Sequence, residues 1–287
     1  MSLSPPWPPV RLVALDIDGT LLRSDKTLSP RTRRALERVR ERGVRLVLVT
    51  GRRYPSAQRV ALELGGEVPL VLHNGALVIE RGSVLRCRLL ARAAAREAIA
   101  VGRAHGAEPV LHCGARGEGL LLVAAHARRD GLVGYYLERS RDEVRAVSDL
   151  EAALEAEAPI QVMFGGTRAE MVPLRAALEA ALAGRARIER TVYPATGVVL
   201  LDVIDPGVGK ADALAFLQER WGVSAAETLA IGDNWNDQEM VATAGRGFVM
   251  GNADPELLAL GLPCLPSNDE DGVATAIEEH VLQPAGG

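Results

Sequence analysis

The sequence predicts an α/β protein: a parallel sheet flanked by helices, with a separate α+β segment set into it. Three observations carry this reading. Apolar runs alternate with helical stretches over the first 81 residues, the alternation loosens between about 82 and 190, and it resumes from about 191 to the end. Strands and helices alternating at short spacing require a parallel sheet with right-handed crossovers. At 287 residues the chain is long enough for about two domains. The expected division is a core over 1–81 and 191–287, with an inserted α/β domain over 82–190.

Taken in order, residues 11–16 are a short apolar run ending at an acid, the pattern of a strand buried on both faces. Ser29-Pro30 supplies an N-cap and a first-turn proline for a helix reaching about residue 42, with Ala35, Leu36 and Val39 on its apolar face and Gly43 after its end. Residues 44–49 form a second buried strand, 54–64 a helix and 68–72 a third strand, which ends at His73-Asn74-Gly75. In the middle segment, 91–105 and 167–183 read as helices, and 119–125, 132–137 and 160–164 as strands. The β-α rhythm then returns with a strand at 198–204, a helix at 210–221, a strand at 228–231, a helix at 237–244 and a strand at 247–250.

Composition excludes several classes. The 33 basic and 37 acidic residues give a net charge of −4, with no basic run of the kind that holds nucleic acid. No apolar run is long enough for a membrane span, and residues 1–9 are proline-rich without the basic and apolar regions of a signal peptide. The three cysteines are too few and too scattered for a disulfide framework, so reduced thiols in a cytoplasmic protein are expected, as a monomer or small homo-oligomer. Among the 33 basic residues, lysine occurs only at positions 26 and 210.

Four polar clusters stand at the expected carboxyl ends of strands, where open parallel sheets bind ligands. They are Asp16-Ile17-Asp18-Gly19-Thr20, Thr50-Gly51-Arg52, the loop leading to Lys210, and Gly232-Asp233-Asn234-Trp235-Asn236-Asp237. Singly, each has a plain reading as a turn, a cap or a solvated helix start. Together their chemistry is complementary. Three carboxylates at one point require a cation, and hard oxygen ligands suit Mg2+. Thr50 and Lys210 offer a hydroxyl and a compact positive charge to phosphate oxygens. As a helix-start residue beside a cleft, Lys210 is expected to be exposed. Rival motifs fail: a P-loop needs glycine where Ile204 stands and Ser or Thr where Ala211 stands, and no G-x-S-x-G elbow occurs.

These four clusters resemble, in order, the four motifs of the haloacid dehalogenase (HAD) superfamily. His73-Asn74-Gly75-Ala76, Met250-Gly251-Asn252-Ala253 and the run from Ser267 to Val273 resemble its Cof-type members, which carry a large C2 cap between the second and third motifs. The resemblance implies a Rossmann-like core, an inserted cap and a Mg2+-dependent phosphatase of small phosphorylated metabolites. It implies Asp16 as nucleophile and Asp18 as general acid and base. Mg2+ would sit on the Asp16 carboxylate, the Asp18 backbone carbonyl and Asp233. The phosphoryl group would meet the Ile17 backbone N–H, Thr50, Gly51, Lys210 and Asn236; Asn74 would reach the substrate, and Asp237 would orient Lys210 or the metal's waters. The cap would read the leaving group, with Arg116, Arg128, Arg129 and Arg139 as candidates. Its few aromatics, Tyr135, Tyr136 and Phe164, favour a sugar or polyol phosphate over a stacked ring. The same scaffold also accommodates a phosphotransferase or mutase, or a phosphometabolite sensor without turnover.

Overall fold

The computed structural model describes residues 8–127, 134, 137, 138, 140–194 and 196–283. The chain forms two compact units. One comprises Met1–Thr50, Gln58–Val71 and Lys210–Gly287, and the other Gly51–Ala57 and Leu72–Gly209.

In the first unit, β1 (Leu12–Leu15), β2 (Arg45–Val49), β3 (Leu70–Leu72), β12 (Thr228–Gly232), β13 (Arg246–Met250) and β14 (Cys264–Leu265) lie in the order β14-β13-β12-β1-β2-β3. Each neighbouring pair is parallel. All four residues of β1 are fully buried, which explains its unbroken apolar run. Successive strands proceed outward from β1 in one direction through β2 and β3. The chain later resumes on its other side with β12. The order therefore reverses between β1 and β12, and such a reversal opens a crevice at the strands' carboxyl ends. Helix α1 (Pro30–Glu41) starts where its sequence cues place it: the Ser29 hydroxyl accepts from the Thr32 amide at 3.0 Å, and Ala35, Leu36 and Val39 are buried. The core helices α6 (Lys210–Trp221), α7 (Gln238–Thr243), α8 (Pro255–Leu258) and α9 (Gly272–Ile277) belong to the same unit.

The second unit opens with the antiparallel hairpin β4 (Leu77–Glu80) and β5 (Ser83–Cys87). Its larger sheet contains β6 (Val110–Cys113), β7 (Leu120–Ala124), β8 (Val144–Val147), β9 (Gln161–Thr167), β10 (Arg187–Tyr193) and β11 (Val198–Ile204), in the order β10-β11-β9-β6-β7-β8. Helices α3 (Arg92–Ala104), α4 (Leu150–Ala156) and α5 (Arg168–Ala181) complete it. A Cβ on Gly102 of α3 would lie 2.1 Å from the ring of fully buried Phe164, so glycine is what lets this helix approach β9. Thr167 and Glu170 form a reciprocal capping box at the start of α5.

Three expectations differ from the structure. The strand at 198–204 does form, but it is not a parallel core strand. It pairs antiparallel with both β10 and β9, because an apolar run specifies burial without specifying direction. The expected strand at 132–137 lies mostly outside the described residues, and the two that are described, Gly134 and Leu137, are helical. The second unit also begins and ends at other residues than 82 and 190, since it takes in the β4–β5 hairpin and β11. Among the described residues no helix is long and apolar enough to cross a membrane.

Candidate active site

Asp16 follows directly on β1, and its amide still donates to Ile231 O of β12 at 3.0 Å. The chain then turns sharply: Leu21 N donates to Asp16 O and Leu22 N to Ile17 O. The turn requires glycine at position 19, which has φ +82°, and a Cβ there would lie 2.3 Å from Asp233 Oδ2. Asn252 Nδ2 donates to Gly19 O, Asn268 Nδ2 donates to Leu22 O, and Asn268 N donates to Asn252 Oδ1. Asn252 and Asn268, two of the three asparagines in the Cof-type segments, thus hold the Asp16–Leu22 turn in place.

Asp233 emerges from β12, and Thr20 donates its hydroxyl to Asp233 Oδ1 at 2.7 Å. The single turn Trp235–Asp237 brings Asp237 back under the strand end, where its Oδ2 accepts from the Asp233 and Asn234 amides. Lys210 opens α6 and donates to both Asp16 Oδ1 and Asp237 Oδ1 at 2.6 Å. The expectation that Lys210 is exposed is overturned. Its side chain is 1% exposed, because the ammonium is drawn in among three buried carboxylates. Asp16, Asp233 and Asp237 each offer an oxygen within 4.8 Å of the others.

The electrostatics follow from that crowding. Burial pushes the Asp16 carboxyl up to about 7, against the pull of Lys210 and with the Asp237 charge adding to the rise. Burial raises Asp233 well above the ordinary carboxylate range, and the charges of Asp16 and Asp237 raise it further. Burial disfavours the Lys210 charge, yet Asp16 and Asp237 outweigh it and hold the ammonium firmly protonated. Three carboxylates against one ammonium leave an excess of negative charge among hard oxygen donors, and this donor set fits a divalent cation such as Mg2+.

The other expected residues are placed as follows. Ile17 is buried, and Asp18 is partly exposed with its Oδ1 3.1 Å from Lys26 Nζ. Thr50 is buried at the end of β2, its amide bonded to Val71 O. Asn236 is buried in the turn beside Asp237. Gly51 and Asn74 lie in the second unit, where Asn74 Oδ1 sits 3.0 Å from the point a Gly51 Cβ would occupy. Arg116 is 89% exposed and paired with Glu118, and Arg128, Arg129 and Arg139 lie outside the described residues. Two contacts escaped the sequence reading: Thr20 to Asp233, and Lys26 to Asp18. The second carried a signal, since Lys26 is the other of two lysines in an arginine-rich chain.

A family model for haloacid dehalogenase-like hydrolases matches residues 13–277. The chain belongs to this family. This HAD-like hydrolase is 32% identical over 281 residues to a protein of Serratia proteamaculans (strain 568) named HMP-PP phosphatase, covering 96% of each chain. It is 28% identical over 279 residues to the Escherichia coli (strain K12) protein named 5-amino-6-(5-phospho-D-ribitylamino)uracil phosphatase YbjI, covering 96% of this chain and 98% of that one. Its fold is similar to a crystal structure of a haloacid dehalogenase-like hydrolase from Bacteroides thetaiotaomicron, with a TM-score of 0.76, 28% identity, and coverage of 94% of this chain and 99% of that one. The HAD-type phosphatase expected from the four motifs is thereby borne out, and with it the Cof-type resemblance.

Proposed function

We propose that this enzyme is a Mg2+-dependent phosphatase of small phosphomonoesters that works through an aspartyl-phosphate on Asp16. The observation that carries the reading is the joining of Asp16 and Asp237 by Lys210 at 2.6 Å, with Asp233 in the same buried cluster. Asp16 attacks phosphorus through a carboxylate oxygen while the bond to the leaving oxygen breaks and Asp18 supplies that oxygen's proton. Asp18 then takes a proton from water, the water oxygen attacks phosphorus, and the bond to Asp16 breaks to release inorganic phosphate and regenerate both carboxyl groups. Thr50, the Gly51 amide, Lys210 and Asn236 bind the phosphoryl oxygens, and Asp237 orients Lys210. The Asp237 carboxylate is engaged by Lys210 and two backbone amides, which supports orientation over metal ligation. A divalent cation held by Asp16, Asp233 and the Asp18 carbonyl would offset the charge that accumulates on the transferring group.

In this reading the second unit is the cap that selects the leaving group, and a sugar or polyol phosphate is favoured. Phe164 is fully buried beneath α3 and so offers no face to a flat ring. The E. coli relative is named for a phospho-ribitylamino uracil, a polyol phosphate that also carries a ring. A cytoplasmic monomer or small homo-oligomer is part of the same proposal.

The test is phosphate release from a panel of phosphorylated sugars, polyols, nucleotides, flavin mononucleotide and pyridoxal phosphate, with Mg2+ or EDTA. Release is expected with Mg2+, lost in EDTA and reduced at least about a thousandfold in Asp16→Asn, since an amide is a poor nucleophile. Undiminished turnover by Asp16→Asn rejects the mechanism. Transfer to a second hydroxyl as the dominant outcome makes the enzyme a phosphotransferase, and tight binding without turnover makes it a sensor.

A further inference from the structure

The second unit contains a buried carboxylate that the reaction above does not use. Asp202 sits in the middle of β11, within the run Val-Val-Leu-Leu-Asp-Val-Ile, and is 4% exposed. A buried carboxylate in an apolar strand is costly, and Asp202 has no cationic partner among the described residues. Its oxygens instead accept from two side-chain amides: Asn74 Nδ2 at 2.9 Å and Gln161 Nε2 at 2.8 Å. Both amides are themselves buried.

An ionised carboxylate only accepts hydrogen bonds, so it dictates which end of each amide faces it. Gln161 must turn its Oε1 away, and that oxygen lies 3.2 Å from His73 Nδ1. Burial holds His73 neutral, its pKa lowered to about 4, so the bond assigns its proton to Nδ1. Asn74 must likewise turn its Oδ1 away from Asp202, and that oxygen lies 3.0 Å from the point a Gly51 Cβ would occupy. His73 N donates to Arg52 O at 3.2 Å. Two consecutive residues therefore meet the Gly51–Arg52 turn, His73 by a backbone hydrogen bond to Arg52 O and Asn74 by a side-chain oxygen set close beside Gly51. Both hold left-handed backbone conformations, φ +50° at His73 and +55° at Asn74. For histidine that conformation is strained and persists only where surrounding structure enforces it.

We infer that Asp202 is a positioning residue: through Asn74 directly, and through Gln161 and His73, it fixes the Gly51–Arg52 turn whose Gly51 amide receives the phosphoryl group. The inference rests on the phosphatase reading for the role of Gly51. The relay itself runs entirely through buried residues of the second unit. It explains why a charge is kept in a strand where a valine would be cheaper to bury.

The relay has a donor–acceptor order, and that order can be moved by one residue. In Asp202→Asn, the new amide meets two donors with one acceptor, so Asn74 or Gln161 must reverse. In the double variant Asp202→Asn/Gln161→Glu, the amide at 202 accepts from Asn74 and donates to the carboxylate at 161, which still accepts from His73. The original order is restored with the charge displaced.

The experiment compares wild type and both variants at pH 8, reading kcat/KM for p-nitrophenyl phosphate, calorimetric affinity for inorganic phosphate, and thermal unfolding. Asp202→Asn is expected to lower kcat/KM and phosphate affinity roughly ten- to hundredfold, the scale of a misplaced binding group. The double variant is expected to return to within about threefold of wild type. A folded Asp202→Asn within about threefold of wild type overturns the inference. So does a double variant that stays as impaired as the single one, or does not fold. Should the single variant not fold, the double variant decides by itself. Absence of turnover in wild type indicts the phosphatase reading, and the relay is then read in phosphate affinity. Absence of phosphate binding in wild type overturns the relay as well.

Discussion

Lys210 brings one positive charge into a space shared by three buried carboxylates, and its removal is expected to be felt in folding as much as in catalysis. Removing one partner of a buried ion pair costs about 3–5 kcal/mol, because it leaves a desolvated charge behind. Lys210→Ala should therefore lower the denaturant midpoint of the metal-free protein as well as abolish turnover. Lys210→Arg should rescue neither, since a planar fork cannot meet Asp16 and Asp237 as a compact ammonium does. Asp202 gives a second outcome with a definite sign. Burial raises its carboxyl from the usual 3.8 to about 7, with Glu189 on the facing strand adding to the rise. Between about pH 4 and 7 the folded state retains a proton that the unfolded state has released, so stability falls as pH rises through that window. The stability margin of wild type over Asp202→Asn should be larger at pH 4.5 than at pH 7.5, by a few kcal/mol, measured by denaturant titration. At this scale the convergence of Asp16, Asp233 and Lys210 was legible, because the two acids stand at the ends of apolar runs and Lys210 follows the loop after a third. The burial of Lys210 was not, since a helix-start lysine looks like a solvated one. Nor was Asp202, since one acid in an apolar run reads as an ordinary strand residue.

The elements matter here chiefly through how they end. β12 ends at Gly232, where an added Cβ would lie 2.3 Å from Asp237 Cβ. That neighbour is the root of a side chain pinned by Lys210 and two amides, so it has little freedom to retreat. Gly232→Ala should cost about 1–3 kcal/mol by overpacking. It should also lower kcat more than about tenfold by displacing the Asp237–Lys210 contact, checked by calorimetry and steady-state kinetics side by side. Sequence periodicity placed α1, α3, α5, α6 and the core strands close to their observed bounds, because their caps and apolar faces are local signals. It failed at β11, whose run matches the core strands in composition but pairs antiparallel. Pairing direction is decided by which strands lie beside it, and that information is not local.

For the whole molecule, a cation bound at the carboxylate cluster, as proposed above, would tie stability to metal. A ligand that binds the folded state at a hundred times its Kd adds about 2.7 kcal/mol. Mg2+ should raise the melting temperature of wild type by several degrees, and the rise should vanish in Asp233→Asn; an equal rise in both would place the ion elsewhere. The four motifs made the core legible from sequence because their chemistry converges only if the strands between them are neighbours. The mixed helix and strand character of the second unit was legible. Its bounds were not, since glycine and charge clusters mark loops without saying which sheet the chain joins next.

The arginine-rich composition has a practical corollary at the cluster. Lys26 is more than half exposed while Lys210 is sealed beneath the ends of β1 and β12, so an amine-reactive reagent meets two lysines in opposite circumstances within one chain. Acylation at Lys26 should proceed from solvent without any opening of the fold, held back only by its exposed pairing with Asp18. Acylation at Lys210 has to wait for the carboxylate cluster to come apart. The ratio of the two, read by mass spectrometry, is a built-in clock for how often the site opens.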